Sequence, residues 1–65
     1  MKTYDLIKLL DDKVKYVIKD YELDAICYCG KGNKLTESDL LHFEKHSLNN
    51  IKKISIKQHL IIIYV

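Results

Sequence analysis

Apolar residues near the start of the chain recur at the spacing of a helix. Residues 3–22 contain no glycine or proline, and apolar side chains return every three or four positions from Leu6 to Tyr21. This pattern predicts an amphipathic helix that packs one side on a core, with Thr3 as its N-cap. The alternative is a hairpin that turns at residues 11–13, although this turn lacks the glycine or asparagine that tight hairpins prefer.

The last part of the chain, residues 51–65, alternates in the manner of a β-strand. Residues 60–65 are apolar on both faces, so both faces need cover. A strand of this length also has more backbone donors and acceptors than a short neighbour can pair, and a free edge predicts an interface, with a second copy of the chain or with a partner protein. The predicted interface side chains are Ile54, Ile56, Leu60, Ile62 and Tyr64.

The middle of the chain predicts a strand, a turn and a helix in succession. Residues 25–29 have the composition of a short strand, residues 30–34 contain glycine and asparagine, and residues 37–47 have helical spacing. Thr36 followed by Asp39 has the pattern of a capping box, in which each side chain bonds the backbone of the other residue. We therefore expect the helix to begin just after Thr36.

Together these segments predict an α+β fold in a single domain, residues 1–65. An amphipathic segment (1–24) and a long C-terminal strand (51–65) flank the strand–turn–helix unit (25–47). With 48% hydrophobic residues and no proline, the composition is that of a globular chain. Two cysteines, no secretion signal and no apolar stretch of bilayer length predict an intracellular protein without a membrane partner.

Four residues of the middle unit have the chemistry of a metal site. Cys27 and Cys29 are followed, after the predicted turn, by His42 and His46. Zinc prefers four thiolate or imidazole ligands at tetrahedral corners, and two histidines four positions apart lie one turn apart on a helix. The sequence therefore predicts one zinc ion per chain. The alternative is that both cysteines are small apolar residues on the inner face of a strand.

This arrangement resembles the two-Cys, two-His zinc finger. The resemblance covers residues 26–47, in which Cys29 is followed at the family's spacing by His42 and His46. The sequence departs from the family in having a single residue between its cysteines, where the family has two to four. The resemblance implies a structural zinc site and a DNA-linked role in transcription regulation.

No catalytic activity is predicted. A zinc ion with four protein ligands has no open position for water or substrate. The sequence also contains no recognisable nucleophile–base set and no glycine-rich phosphate loop. We therefore expect a non-enzymatic binding protein without a small-molecule substrate.

The basic residues bear on how DNA would be bound. All 11 are lysine, and the net charge is only +2. Because arginine makes the commonest specific contact with guanine, the expected binding is dominated by phosphate contacts and has weak sequence specificity. The alternative is a protein-interaction module or inhibitor, with or without metal, that docks on a larger protein through the C-terminal strand or helix 37–47. The predicted phosphate contacts are Lys31, Lys34, Lys45, Lys52 and Lys53.

Overall fold

The computed structural model describes residues 1–65, and its two helices and four strands form an α+β fold. Neither helix is long and apolar enough to cross a membrane. The elements in chain order are α1 (Thr3–Lys8), β1 (Lys15–Lys19), β2 (Ile26–Lys31), α2 (Glu37–Lys45), β3 (Lys53–Lys57) and β4 (Leu60–Tyr64).

The four strands form one mixed sheet in the order β2-β1-β4-β3. β1 and β2 form one antiparallel hairpin, and β3 and β4 form another. The two hairpins join along β1 and β4, which run parallel at the centre of the sheet. The connection between the hairpins contains α2, which supplies the crossover that a parallel pair requires.

Both helices contribute side chains to a core on one face of the sheet. Ile7 of α1 and Phe43 of α2 have no exposed surface, and they belong to the same buried cluster as Tyr16, Ile18 and Ile63. The cross-strand register places the three sheet residues of this cluster on one face. The helices therefore cover this face, and no helix lies over the other.

The capping box at the start of α2 is confirmed. The Thr36 backbone N–H donates to the Asp39 carboxylate at 2.8 Å, and the Asp39 N–H donates to the Thr36 hydroxyl at 3.3 Å. These two bonds satisfy backbone donors that the first turn of a helix otherwise leaves free. The helix that follows ends at Lys45, two residues before the predicted end.

The predicted helix over residues 3–22 is wrong beyond Lys8. Its second half contains the β-branched residues Val17 and Ile18, which lie in β1 with partners on β2 and β4. The hairpin alternative described this second half correctly, whereas the first half is helical. Cross-strand pairing on both sides of β1 outweighs the helical periodicity, because local propensities are weak compared with tertiary contacts.

Thr3 is not the N-cap of α1. Lys2 occupies that position, and Thr3 is the first helical residue. Its side chain is fully buried, and its hydroxyl has no hydrogen-bond partner. The cap prediction is therefore wrong, and a buried hydroxyl remains unsatisfied instead.

The single C-terminal strand predicted over residues 51–65 is also wrong. The chain turns at Gln58, whose φ is 52°, and folds back as the β3–β4 hairpin. β4 then lies at the centre of the sheet and is paired along both edges. The backbone of β4 therefore finds its hydrogen bonds within the chain, so a free edge of this strand gives no reason for a dimer. A second copy or a partner protein stays a prediction.

Candidate nucleic-acid interface

The face of the sheet opposite the helices carries three rows of side chains across all four strands. The cross-strand register defines each row. Alternate residues of β1, β3 and β4 belong to this face, and on β2 a register shift places Ile26 opposite Lys19. We call it the open face. Its members, row by row, are Lys31, Lys15, Leu60 and Lys57; Cys29, Val17, Ile62 and Ser55; and Ile26, Lys19, Tyr64 and Lys53.

The first row contains three lysines and one leucine. Lys15 lies directly opposite Lys31 on β2, and its β4 partner Leu60 lies opposite Lys57 on β3. With strands about 4.8 Å apart, the backbones of the two outer lysines are about 14 Å apart. Like charges placed directly opposite each other destabilise a sheet. We call Lys15, Lys31 and Lys57 the basic row.

None of the three lysines of the basic row has a carboxylate partner. The ion pair in the structure joins Lys19 to Asp24, with Nζ and Oδ1 3.0 Å apart. The hydrogen bond that Lys19 donates to the Asp24 carboxylate raises the pKa of Lys19 above its ordinary value. The basic row therefore keeps its full positive charge available to an anion.

The charges of the chain are separated by secondary structure. None of the nine acidic residues lies in a strand, whereas five lysines do. All five strand lysines lie on the open face, since the helix-facing positions are apolar, aromatic or glycine. The net charge of +2 therefore does not describe the open face, on which five strand residues are positive and none is negative. The five are Lys15, Lys19, Lys31, Lys53 and Lys57.

The centre of the middle row is apolar. Ile62, at the centre of the open face, is only 6% exposed, and its β1 neighbour Val17 is half-buried. The two residues lie between the basic row and the third row. Val17 and Ile62 form an apolar floor between Lys15 and Lys19, which are about 13 Å apart along β1.

At the third row, the ring of Tyr64 meets a second aromatic ring from a neighbouring loop. Tyr64 meets Tyr21, from the β1–β2 loop, edge to face, with ring centroids 6.1 Å apart and planes at 88°. The Lys53 ammonium lies 5.7 Å from the Tyr64 ring centroid, a cation–π contact. Tyr21 is 53% exposed, so an aromatic surface is accessible beside positive charge.

Contact between Gly30 and Tyr16 packs the β1–β2 hairpin on the helix side of the sheet. They are cross-strand partners, and a Cβ on Gly30 would lie 2.3 Å from the Tyr16 hydroxyl oxygen. The Tyr16 ring therefore covers the glycine on the helix side, as aromatic residues often do opposite a strand glycine. Burial, with smaller contributions from Tyr28 and Asp39, raises the pKa of Tyr16 to about 12.

The five lysines predicted to bind phosphate separate into two groups. Lys31 and Lys53 lie on the open face. Lys34 is in the loop before α2, Lys45 ends α2, and Lys52 precedes β3. The other three lysines of the open face, Lys15, Lys19 and Lys57, were not among the predicted residues. Correct assignment of β1 and β3 would have found them, since Lys15 and Lys19 alternate with the apolar Val17, and Lys57 lies in phase with Lys53 on β3.

The five predicted interface residues are likewise divided between the two faces. Leu60, Ile62 and Tyr64 belong to the open face. Ile54 and Ile56 lie on the helix-facing side of the edge strand β3, where they are 44% and 70% exposed. These residues therefore do not form one surface, because the turn at Gln58 separates them into two strands.

The predicted zinc ligands are only partly brought together. The rings of His42 and His46 lie one turn apart, with centroids 4.5 Å apart and planes at 50°, and Cys27 lines a groove that His46 also lines. Cys29, by contrast, lies on the open face opposite Val17. A register shift leaves Cys27 without a β1 partner, so the two cysteines do not share regular strand alternation.

The geometry of the predicted ligands bears on the zinc prediction. No group of three or more His, Cys, Asp or Glu side chains is close enough to hold a metal ion. All four predicted ligands are exposed. Because Cys29 lies on the open face, the four predicted ligands do not form a single site. Zinc binding itself stays a prediction, which elemental analysis of the purified protein can test.

Comparison of the chain with family models, curated proteins and solved structures finds no match.

Proposed function

We propose that this protein is a small non-catalytic nucleic-acid-binding protein that contacts phosphates through the open face of its sheet. The observation that carries the proposal is the basic row. Three lysines from three different strands lie in one row without a carboxylate partner, and two of them, Lys15 and Lys31, are directly opposite each other, a pairing that costs stability unless an anion is bound. Nucleic acids supply closely spaced negative charges that fit such a row.

The separation of charge supports the same proposal. A protein with a net charge of +2 attracts a polyanion weakly as a whole. A face with five lysines and no acidic strand residue attracts it locally, within the screening distance of about 8 Å at physiological ionic strength. The absence of arginine from the chain fits phosphate contact better than recognition of base edges.

Binding measured against salt concentration tests the proposal. We expect Lys15→Ala combined with Lys57→Ala to weaken binding to DNA of any sequence and to reduce the slope of log K against log salt by roughly 2, about 1 for each lost contact. Fluorescence anisotropy with a labelled oligonucleotide, read from low to physiological salt, measures both quantities.

The matched control removes the same charge elsewhere. Lys34→Ala combined with Lys45→Ala also lowers the net charge by two, but neither lysine lies on the open face. This control should leave the salt slope nearly unchanged. Equal losses in the two double variants would show that only overall charge matters, and the open face would then have no special role.

A further inference from the structure

We infer that the nucleic acid bound by the open face is single-stranded and that one of its bases stacks on the aromatic corner formed by Tyr21 and Tyr64. This inference rests on the proposed function and adds the class of ligand. It is carried by the shape of the open face and by the position of the two tyrosines relative to the lysines.

The shape of the open face argues against a duplex. Both helices contribute to the core on the other face, so no helix projects from the open face into a groove. The sheet is four strands wide, about 14 Å between the outer backbones before side chains are added. The major groove of B-DNA is about 12 Å wide and admits a helix or a two-stranded ribbon. A four-stranded face is too wide to enter it.

The aromatic corner argues for unpaired bases. The Tyr21 ring is perpendicular to the Tyr64 ring and 53% exposed, so a flat base can lie against one ring with the other at its side. Bases in a duplex are already stacked and cannot be offered in this way, whereas those of a single strand can. Stacking tolerates any base, which agrees with a face that carries no arginine.

Lysines lie next to this corner, so that a stacked base and its phosphates can be held together. Lys53 is already within 5.7 Å of the Tyr64 ring centroid, and Lys19 is the β1 partner of Tyr64. The Lys19 side chain is 21% exposed and pairs with the Asp24 carboxylate, so Lys53, which is exposed and has no carboxylate partner, is the lysine more open to a phosphate. The apolar floor of Val17 and Ile62 connects the corner to the basic row.

The decisive comparison uses the unmodified protein and three probes of equal length: labelled oligo-dT, the same phosphodiester chain without bases, and a hairpin duplex. We expect oligo-dT to bind more tightly than the duplex and roughly 5- to 150-fold more tightly than the abasic chain, the range for one stacked base. Since no residue is changed, misfolding cannot account for the difference.

A variant then places the contact. Tyr64→Leu should reduce the preference for oligo-dT over the abasic chain, while Tyr4→Leu, a change on α1, should leave it intact. Equal affinity for oligo-dT, the abasic chain and the duplex, all dependent on Lys15 and Lys57, would overturn the inference and leave the proposed function standing. Failure of all three probes to bind would remove both. Equally tight, lysine-dependent binding of a poly-glutamate peptide would identify an acidic protein as the ligand class and overturn the inference.

Discussion

A methyl group added at Gly30 provides a sharp test of the packing beneath the open face. In Gly30→Ala the new Cβ would lie 2.3 Å from the Tyr16 hydroxyl oxygen, 2.4 Å from Cζ and 2.9 Å from Cε1. Favourable contacts between carbon atoms lie near 3.5–4.0 Å. The Tyr16 ring therefore has to move by roughly 1 Å or more.

This movement is opposed by the surroundings of the ring. Tyr16 is only 3% exposed and stacks against Tyr28, with ring centroids 6.3 Å apart. Overpacking of this kind typically costs 1–3 kcal/mol, and we expect about 2–3 kcal/mol here because a rigid ring has few other rotamers. For a chain of this size that corresponds to a fall in the melting temperature of roughly 10–20 °C.

A double-mutant cycle separates the clash from other effects of the substitution. In a Tyr16→Leu background the atoms that meet the new Cβ are absent, so Gly30→Ala should cost less than about 1 kcal/mol. Thermal and urea unfolding followed by circular dichroism provide the free energies. Ser55→Ala, a substitution of similar size on the open face of β3, serves as the control. Equal costs in the two backgrounds would refute the clash as the cause.

Three further predictions concern single side chains. Thr36→Ala should destabilise the fold by about 1 kcal/mol through loss of the α2 cap, and Thr36→Ser should recover most of it in urea unfolding. Thr3→Val should leave stability unchanged or raise it by on the order of 1 kcal/mol, because it replaces a buried hydroxyl that lacks a partner with a methyl group of similar size; a clear loss would mean that the hydroxyl is bonded. Because the folded state raises the pKa of Tyr16 from 10.0 to about 12, it favours the neutral hydroxyl. The corresponding stability is complete below pH 10 and lost as the pH rises through 12. Comparing the unfolding free energy of the wild type with that of Tyr16→Phe between pH 9 and 11 measures this loss, and parallel curves would contradict it.

The α+β class, the strand within residues 25–29 and the start of α2 were predictable from the sequence, because each depends on interactions between residues close in the chain. The capping box is the best example, since Thr36 and Asp39 bond each other across three positions. The sequence also determined the kind of charge available, with 11 lysines and no arginine.

The strands at the two ends of the chain were decided by tertiary structure. Residues 15–19 have helical spacing, yet they pair with β2 on one side and β4 on the other. Residues 51–65 have the pattern of one long strand, yet a turn at Gln58 folds them into two. In both cases partners far away in the sequence supply hydrogen bonds and apolar cover that no local pattern reveals.

The candidate site depends on those same long-range pairings. Lys15, Lys31 and Lys57 come from three strands and come to lie in one row only when β1 pairs with β2 and β4, and β4 pairs with β3. From the sequence they are three isolated charges among many. The sequence by itself determined that the strongly basic side chains are all lysine, and the tertiary structure decided which lysines share a face, because strand register alone brings them together.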